Sequence, residues 1–294
     1  MFEIVKKTVL ANQIYLMEIK APRIANSANP GQFLIVKMDE KGERIPLTIC
    51  DYDKEKGTVT IVFQTVGNST NEMADYEEGG FFTDVVGPLG THSEFVNEEA
   101  EALKKKKVIF IAGGVGTAPV YPQVKWLSEH GVKADVIIGA KTKDLVILEE
   151  KMKAVAGEVY VATDDGSYGY KGLVTNLLKE LVEKQGKKYD EVIAIGPMIM
   201  MKFVSRLTEE LNLKTIVSLN TLMVDGTGMC GACRVTVGGK IKFACVDGPE
   251  FDGHLVNFDE AMRRQTMYKS EEAKSEFKKE HANEGGHKCS CDAV

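Results

Sequence analysis

Between residues 2 and 95, apolar and polar positions alternate in short runs: IVKKTVL, IYLMEIK, FLIVKM, TVTIVFQTV and FFTDVV. Turn-formers such as Asn29-Pro30-Gly31 and Lys56-Gly57 separate them. Period-two alternation with glycine and proline turns predicts an antiparallel β-barrel or sandwich. The texture changes at Lys107-Val108-Ile109-Phe110-Ile111-Ala112, an unbroken apolar run suited to a strand buried on both faces of a parallel sheet. Similar runs follow at 134–138, 158–162, 191–195 and 213–218, with helical segments at 171–185 and 198–210. This alternation predicts a doubly wound α/β domain. Beyond Leu219 the chain turns rich in glycine and cysteine, and a charged, helix-prone stretch follows at 258–282. The expected units are 1–98, 103–218, 219–256 and a tail at 257–294, whose end EGGHKCSCDAV has the composition of a poorly ordered terminus.

Composition narrows the function classes. With 294 residues and 44% apolar content, the chain can build more than one core. A net charge of -6 without a clustered basic surface argues against nucleic acid, and the lysines at 104–107 read as a solvated loop. Residues 1–20 lack the apolar core of a secretory signal, and no apolar run reaches the ~18–20 residues of a membrane span. Of six cysteines, three lie between Cys230 and Cys245. Clustering of that kind suggests a metal or cluster site in a cytoplasmic protein rather than a disulfide framework.

Two loops point to a dinucleotide. Gly113-Gly114-Val115-Gly116-Thr117-Ala118-Pro119 follows a buried strand, where glycines let the backbone approach a pyrophosphate and the next helix offers amide donors. Gly196-Pro197-Met198 ends a later buried strand, and two such loops facing one crevice make a nicotinamide pocket. The third motif is Asp225-Gly-Thr-Gly-Met-Cys230-Gly-Ala-Cys233, followed by Cys245. Three thiolates and a carboxylate are a donor set for a [2Fe–2S] cluster, and the glycines allow the loop to wrap tightly. The same donors suit a tetrahedral zinc ion. If Asp225 only makes a turn with Gly226, Cys50 or a tail cysteine would have to complete the cluster. Cys50 itself reads as a small core filler, and His287, Cys289 and Cys291 carry no assigned role.

Barrel, nicotinamide domain and C-terminal cysteine loop, in that order, resemble the ferredoxin–NADP reductase superfamily over residues 2–254. The branch is the one holding dihydroorotate dehydrogenase electron-transfer subunits and the small subunits of NADH-dependent reduced ferredoxin:NADP oxidoreductases. The resemblance implies FAD on the barrel. It assigns flavin contacts to Arg44, Pro46, Leu47 and Thr48, to Val62, Phe63 and Gln64, and to Gly67, Ser69 and Thr70, with Gly87-Pro-Leu-Gly90 closing the barrel. Many relatives place the arginine three residues before the Ser or Thr; here Arg44 stands four before Thr48 and Ile45 holds that place. NAD(H) contacts fall to Gly113, Gly114, Gly116, Thr117, Pro119, Gly196, Pro197 and Met198, and cluster ligands to Asp225, Cys230, Cys233 and Cys245.

In the dihydroorotate branch the cluster loop starts with cysteine; Asp225 in that place favours the ferredoxin:NADP type. That resemblance implies hydride exchange between NAD(H) and FAD and single-electron passage through the [2Fe–2S] cluster. It also implies a larger NADPH-binding subunit carrying FAD and [4Fe–4S] clusters, with ferredoxin served through the complex in electron bifurcation. Asp164 and Asp165 would repel a 2′-phosphate and favour NAD, whereas Lys141 and Lys143 cut the other way.

Overall fold

The computed structural model describes residues 1–271. Its first sheet contains β1 (Phe2–Ala11), β2 (Ile14–Lys20), β3 (Phe33–Lys37), β4 (Arg44–Asp53), β5 (Thr58–Gln64), β6 (Phe81–Phe82) and β7 (Asp84–Leu89) in the order β6-β1-β2-β5-β4-β3-β7, antiparallel throughout. The outermost strands, β6 and β7, are joined by Thr83 alone, so the sheet curls into a nearly closed barrel. Ile4, Met17, Ile19, Leu34, Val36, Ile61 and Phe63 fill its interior. Helices α1 (Pro22–Ser27) and α2 (Asn68–Ala74) lie between barrel strands, and α3 (Ala100–Leu103) leads out of the barrel.

The second sheet holds β8 (Val108–Gly113), β9 (Asp135–Ala140), β10 (Val159–Thr163), β11 (Tyr170–Lys171), β12 (Glu191–Ile195) and β13 (Lys214–Ser218). All of these pair in parallel, as their unbroken apolar runs demand. Helices α4 (Thr117–Glu129), α5 (Glu149–Val155), α6 (Val174–Glu183) and α7 (Met198–Glu210) connect them. The expected helix at 171–185 starts late, because Lys171 belongs to β11 and Gly172 has a φ of +130° that helix geometry does not allow. The lysine run at 104–107 is only partly a solvated loop. Lys106 pairs with Glu98 and with buried Glu191, the latter at 2.9 Å.

Beyond β13 come the hairpin β14 (Arg234–Val237) and β15 (Lys240–Phe243), the short α8 (Ala244–Asp247), β16 (Glu250–Asp252) and α9 (Phe258–Gln265). Strand β16 leaves the cysteine-rich region and pairs antiparallel with β13, adding a seventh strand to the α/β sheet. Of the expected helical stretch at 258–282, residues 258–265 form α9; His287, Cys289 and Cys291 lie outside the described residues. Among the described residues no helix is long and apolar enough to cross a membrane.

Candidate functional site

In the α/β sheet, strand order runs outward from β8 to β9 on one side and to β12 on the other. That reversal opens a crevice beyond the carboxyl ends of β8 and β12, where α/β sheets bind ligands. Both glycine loops sit there. They are packed backbone to backbone: a Cβ at Gly116 would lie 2.2 Å from the Ile195 carbonyl oxygen, and one at Gly196 2.9 Å from the Gly113 Cα. Gly114 differs, since its φ of +55° is left-handed and the space beside it is open. Only at Gly114 does the missing side chain leave room for a ligand. The Thr117 hydroxyl donates to the Gly114 carbonyl at 2.9 Å, and Thr117, Pro119 and Met198 are buried.

Asp164 and Asp165 follow β10 on the same edge, beside the Lys141 turn, to which the Asp165 amide donates. Hydrogen bonds from the Ser167 hydroxyl and amide hold the exposed Asp165 carboxyl below its usual range. A local anion thus stands at this edge of the sheet.

On the barrel, Arg44, Pro46, Leu47 and Thr48 are half-buried on β4. Phe63 points inward, stacks on Tyr15 at 5.6 Å and can offer only backbone to a cofactor; Val62 is buried and Gln64 partly exposed. Gly67 caps α2, and Thr70 Oγ1 accepts from the Val66 and Gly67 amides at 2.9 and 3.2 Å. Ser69 donates to Glu43. Cys50 is buried, and burial with Asp51 beside it pushes the thiol up to about 12, in keeping with an inert filler.

The cysteine loop is the most specific feature. Its glycines 226, 228 and 231 have φ of +75°, +84° and +68°, so the chain doubles back in a way that residues with a Cβ resist. The donors stand in two pairs. Cys233 Sγ lies 3.2 Å from Cys245 Sγ, both buried, while Cys230 Sγ lies 3.2 Å from Asp225 Oδ1. Asp225 also accepts from the Met229 and Cys230 amides at 2.8 and 3.1 Å. Burial alone would raise this carboxyl, but bonds from Cys230 and the Thr227 and Met229 amides hold it far below the carboxylate range. Burial together with neighbouring Cys233 pushes the Cys245 thiol up to about 12, against the Gly228 amide that faces it. Among the described residues no three His, Cys, Asp or Glu side chains converge on one metal position. Two pairs of donors, each pair for one iron, fit a two-iron cluster better than one tetrahedral ion.

The loop is docked on the barrel. A Cβ at Gly226 would lie 2.6 Å from Ile35 Cδ1 and 2.8 Å from Leu89 Cδ1, and Arg44 Nε donates to the Val224 carbonyl at 3.0 Å. A second junction went unread in the sequence. Glu250 on β16 accepts from Ser93 at 3.0 Å and from Gln123 of α4 at 2.9 Å, joining barrel exit, nicotinamide helix and cluster region. Burial pushes its carboxyl up to about 7, against the hydrogen bonds from Ser93 and Gln123. The sequence around it, with Asp247 and Asp252 close by, gave no signal that Glu250 would be the buried one.

Comparison with known proteins agrees with this geometry. Residues 110–206 match the oxidoreductase NAD-binding domain family, and residues 220–257 match the iron-sulfur cluster binding domain of dihydroorotate dehydrogenase B. A Clostridium beijerinckii protein, described only as lying in the adh 3′ region, is 65% identical over 99% of both chains. A Thermotoga maritima homologue of the dihydroorotate dehydrogenase B (NAD(+)) electron transfer subunit is 45% identical over 92% of both chains. A chain from the structure of the NADH-dependent reduced ferredoxin-NADP oxidoreductase, studied for flavin-based electron bifurcation, superposes with a TM-score of 0.86 at 44% identity, covering 94% of this chain and 96% of its own.

Proposed function

The chain belongs to the family of dihydroorotate dehydrogenase B electron-transfer subunits and their homologues, and from that premise we propose that it is the small, electron-transferring subunit of an NADH-dependent ferredoxin:NADP oxidoreductase. It works in the cytoplasm, binds FAD on the barrel and NAD(H) in the crevice, and holds a [2Fe–2S] cluster in the cysteine loop. The units carrying them are 1–98, 103–218 and 219–256, with 257–294 as a tail. The observation that carries the reading is the loop itself, with Asp225/Cys230 and Cys233/Cys245 in two pairs and its first residues seated on the flavin barrel. The four described cysteines are free, which accords with a reducing compartment.

When bound, the flavin exchanges a hydride with the nicotinamide and the cluster takes electrons one at a time. This chain's own part is placement. Strand β4 from Pro46 to Thr48, the Val62–Gln64 segment and the Gly67–Thr70 turn would cradle the flavin, with Ser69 and Thr70 assigned to its phosphates. Open Gly114 would admit the pyrophosphate, with Gly113, Gly116, Gly196 and Pro197 setting the two loops around it and Asp164 and Asp165 favouring NAD over NADP. Buried Cys233 and Cys245 would hold one iron, and Asp225 and exposed Cys230 the other. No acid–base triad is required, so the functional residues are binding residues.

The partner is a larger subunit with its own FAD and [4Fe–4S] clusters, where NADPH and ferredoxin react. Anaerobic purification from the native source, with flavin and iron counts and mass spectrometry of co-eluting chains, tests this. About one FAD and two irons per chain, with a flavoprotein carrying further iron–sulfur clusters alongside, is the expected result. A colourless zinc protein would overturn the cofactor reading, and a co-eluting dihydroorotate dehydrogenase would overturn the choice of partner.

A further inference from the structure

Arg44 stands on the flavin strand but reaches away from it. Its Nε donates to the Val224 carbonyl at 3.0 Å, one Nη lies 3.5 Å from the Asp225 carbonyl oxygen, and the other lies 3.9 Å from the Asp84 carboxylate. Two successive carbonyls of the cluster loop are thus gripped by one planar fork, a geometry that lysine cannot reproduce. The register explains why. Successive side chains on a strand point to opposite faces, so Arg44 shares the face of Pro46 and Thr48 and stands opposite Ile45 and Leu47. Ile45, in the place the arginine of many relatives takes, packs on the barrel core together with Leu47. Arg44 is left on the face that meets the cluster loop, where Gly226 is already pressed against Ile35 and Leu89.

We propose that Arg44 is a positioning residue for the iron–sulfur cluster and not a ligand of the flavin. It fastens the Asp225 end of the loop to β4 and keeps a positive charge beside the Asp225/Cys230 pair. The inference rests on the reading that this loop holds a [2Fe–2S] cluster. Its physical consequence is electrostatic. Reduction adds negative charge to the cluster, and a cation at this distance favours the reduced form, so Arg44 raises the cluster's reduction potential. The tie also fixes one ligand pair to the barrel, while Cys233 and Cys245 are fixed by the hairpin and α8.

The test is a redox titration followed by electron paramagnetic resonance, with FAD and iron per polypeptide measured on the same samples. Arg44→Gln is expected to shift the midpoint potential downward with FAD content unchanged. Arg44→Lys keeps the charge and stays closer to the wild type. Should Arg44→Gln fail to fold, Asp84→Asn serves instead: it removes the anion beside the guanidinium and moves the potential upward. Lower FAD content in Arg44→Gln with an unmoved potential would return Arg44 to the flavin and overturn the proposal, as would an Asp84→Asn protein with an unshifted midpoint. A wild-type protein lacking any two-iron signal would instead defeat the cluster reading on which the inference stands.

Discussion

Glu250 shows how much a single carboxyl can reveal about a junction. It meets Ser93 and Gln123 from two other parts of the chain, and Glu191 and Glu94 bear on it with like charge while Lys106 and Lys214 compensate Glu191. Its folded pKa, about 7, lies above the ordinary value of 4.5. The folded state therefore binds this proton more tightly than the unfolded state, and stability falls as pH rises through the interval from 4.5 to about 7. The slope can reach about 1.4 kcal/mol per pH unit. Glu250→Gln keeps polar contacts with Ser93 and Gln123 but cannot ionise. Its melting temperature, scanned between pH 4.5 and 8, should decline less than the wild type's and exceed it at pH 8; parallel curves would show that Glu250 does not titrate there. Asp225 makes a second residue-scale case. Asp225→Ala should lose most bound iron, whereas Asp225→Cys, which restores the donor found in the dihydroorotate branch, should retain two irons with an altered paramagnetic spectrum. Full iron occupancy in Asp225→Ala would show that another group completes the cluster.

The glycine loops separate two roles that one residue type can play. A methyl at Gly116 would meet the Ile195 carbonyl at 2.2 Å, a backbone clash that repacking cannot relieve, and should cost about 3 kcal/mol. At Gly114 the space is open, so alanine carries only the left-handed penalty, about 1–2 kcal/mol. Gly116→Ala should therefore show mainly in the melting temperature. Gly114→Ala should instead raise the KM for NADH by roughly tenfold, the equivalent of 1.4 kcal/mol of lost approach. Equal effects on stability and KM in both variants would remove the distinction. At this scale the sequence was informative where periodicity was long. The segment at 198–210 became α7 with the same bounds, and the apolar runs became the parallel strands. Strands of two or three residues, such as β11 and β16, hold too few positions to display a period. Nor could the motif show which glycine is left open, because Gly113 and Gly116 are packed by residues 195–200, far along the chain.

Across the whole molecule, the cysteine-rich region is no appendage. The donor pattern was legible because cysteines and glycines cluster within a few residues, but the way the region is anchored was not, since each anchor pairs residues far apart. Arg44 reaches Val224 over 180 positions, and Glu250 reaches Ser93 over 157. Strand β16 pairs Phe251 with Val217 and Glu250 with Ser218, covering the edge of the α/β sheet. A chain ending at residue 218 would uncover β13 as a free edge, a template for intermolecular pairing. It would also leave the buried Gln123 amide without the carboxylate that accepts from it, and an unsatisfied buried group costs about 1–3 kcal/mol. The truncated chain should consequently melt lower and elute as aggregates on size exclusion. The full-length Cys233→Ser/Cys245→Ser protein, without its cluster but with β16 in place, should remain monodisperse. If the truncated chain instead elutes as a sharp monomer with an unchanged melting temperature, the cluster region is a detachable module, and the seventh strand contributes nothing to the sheet it joins.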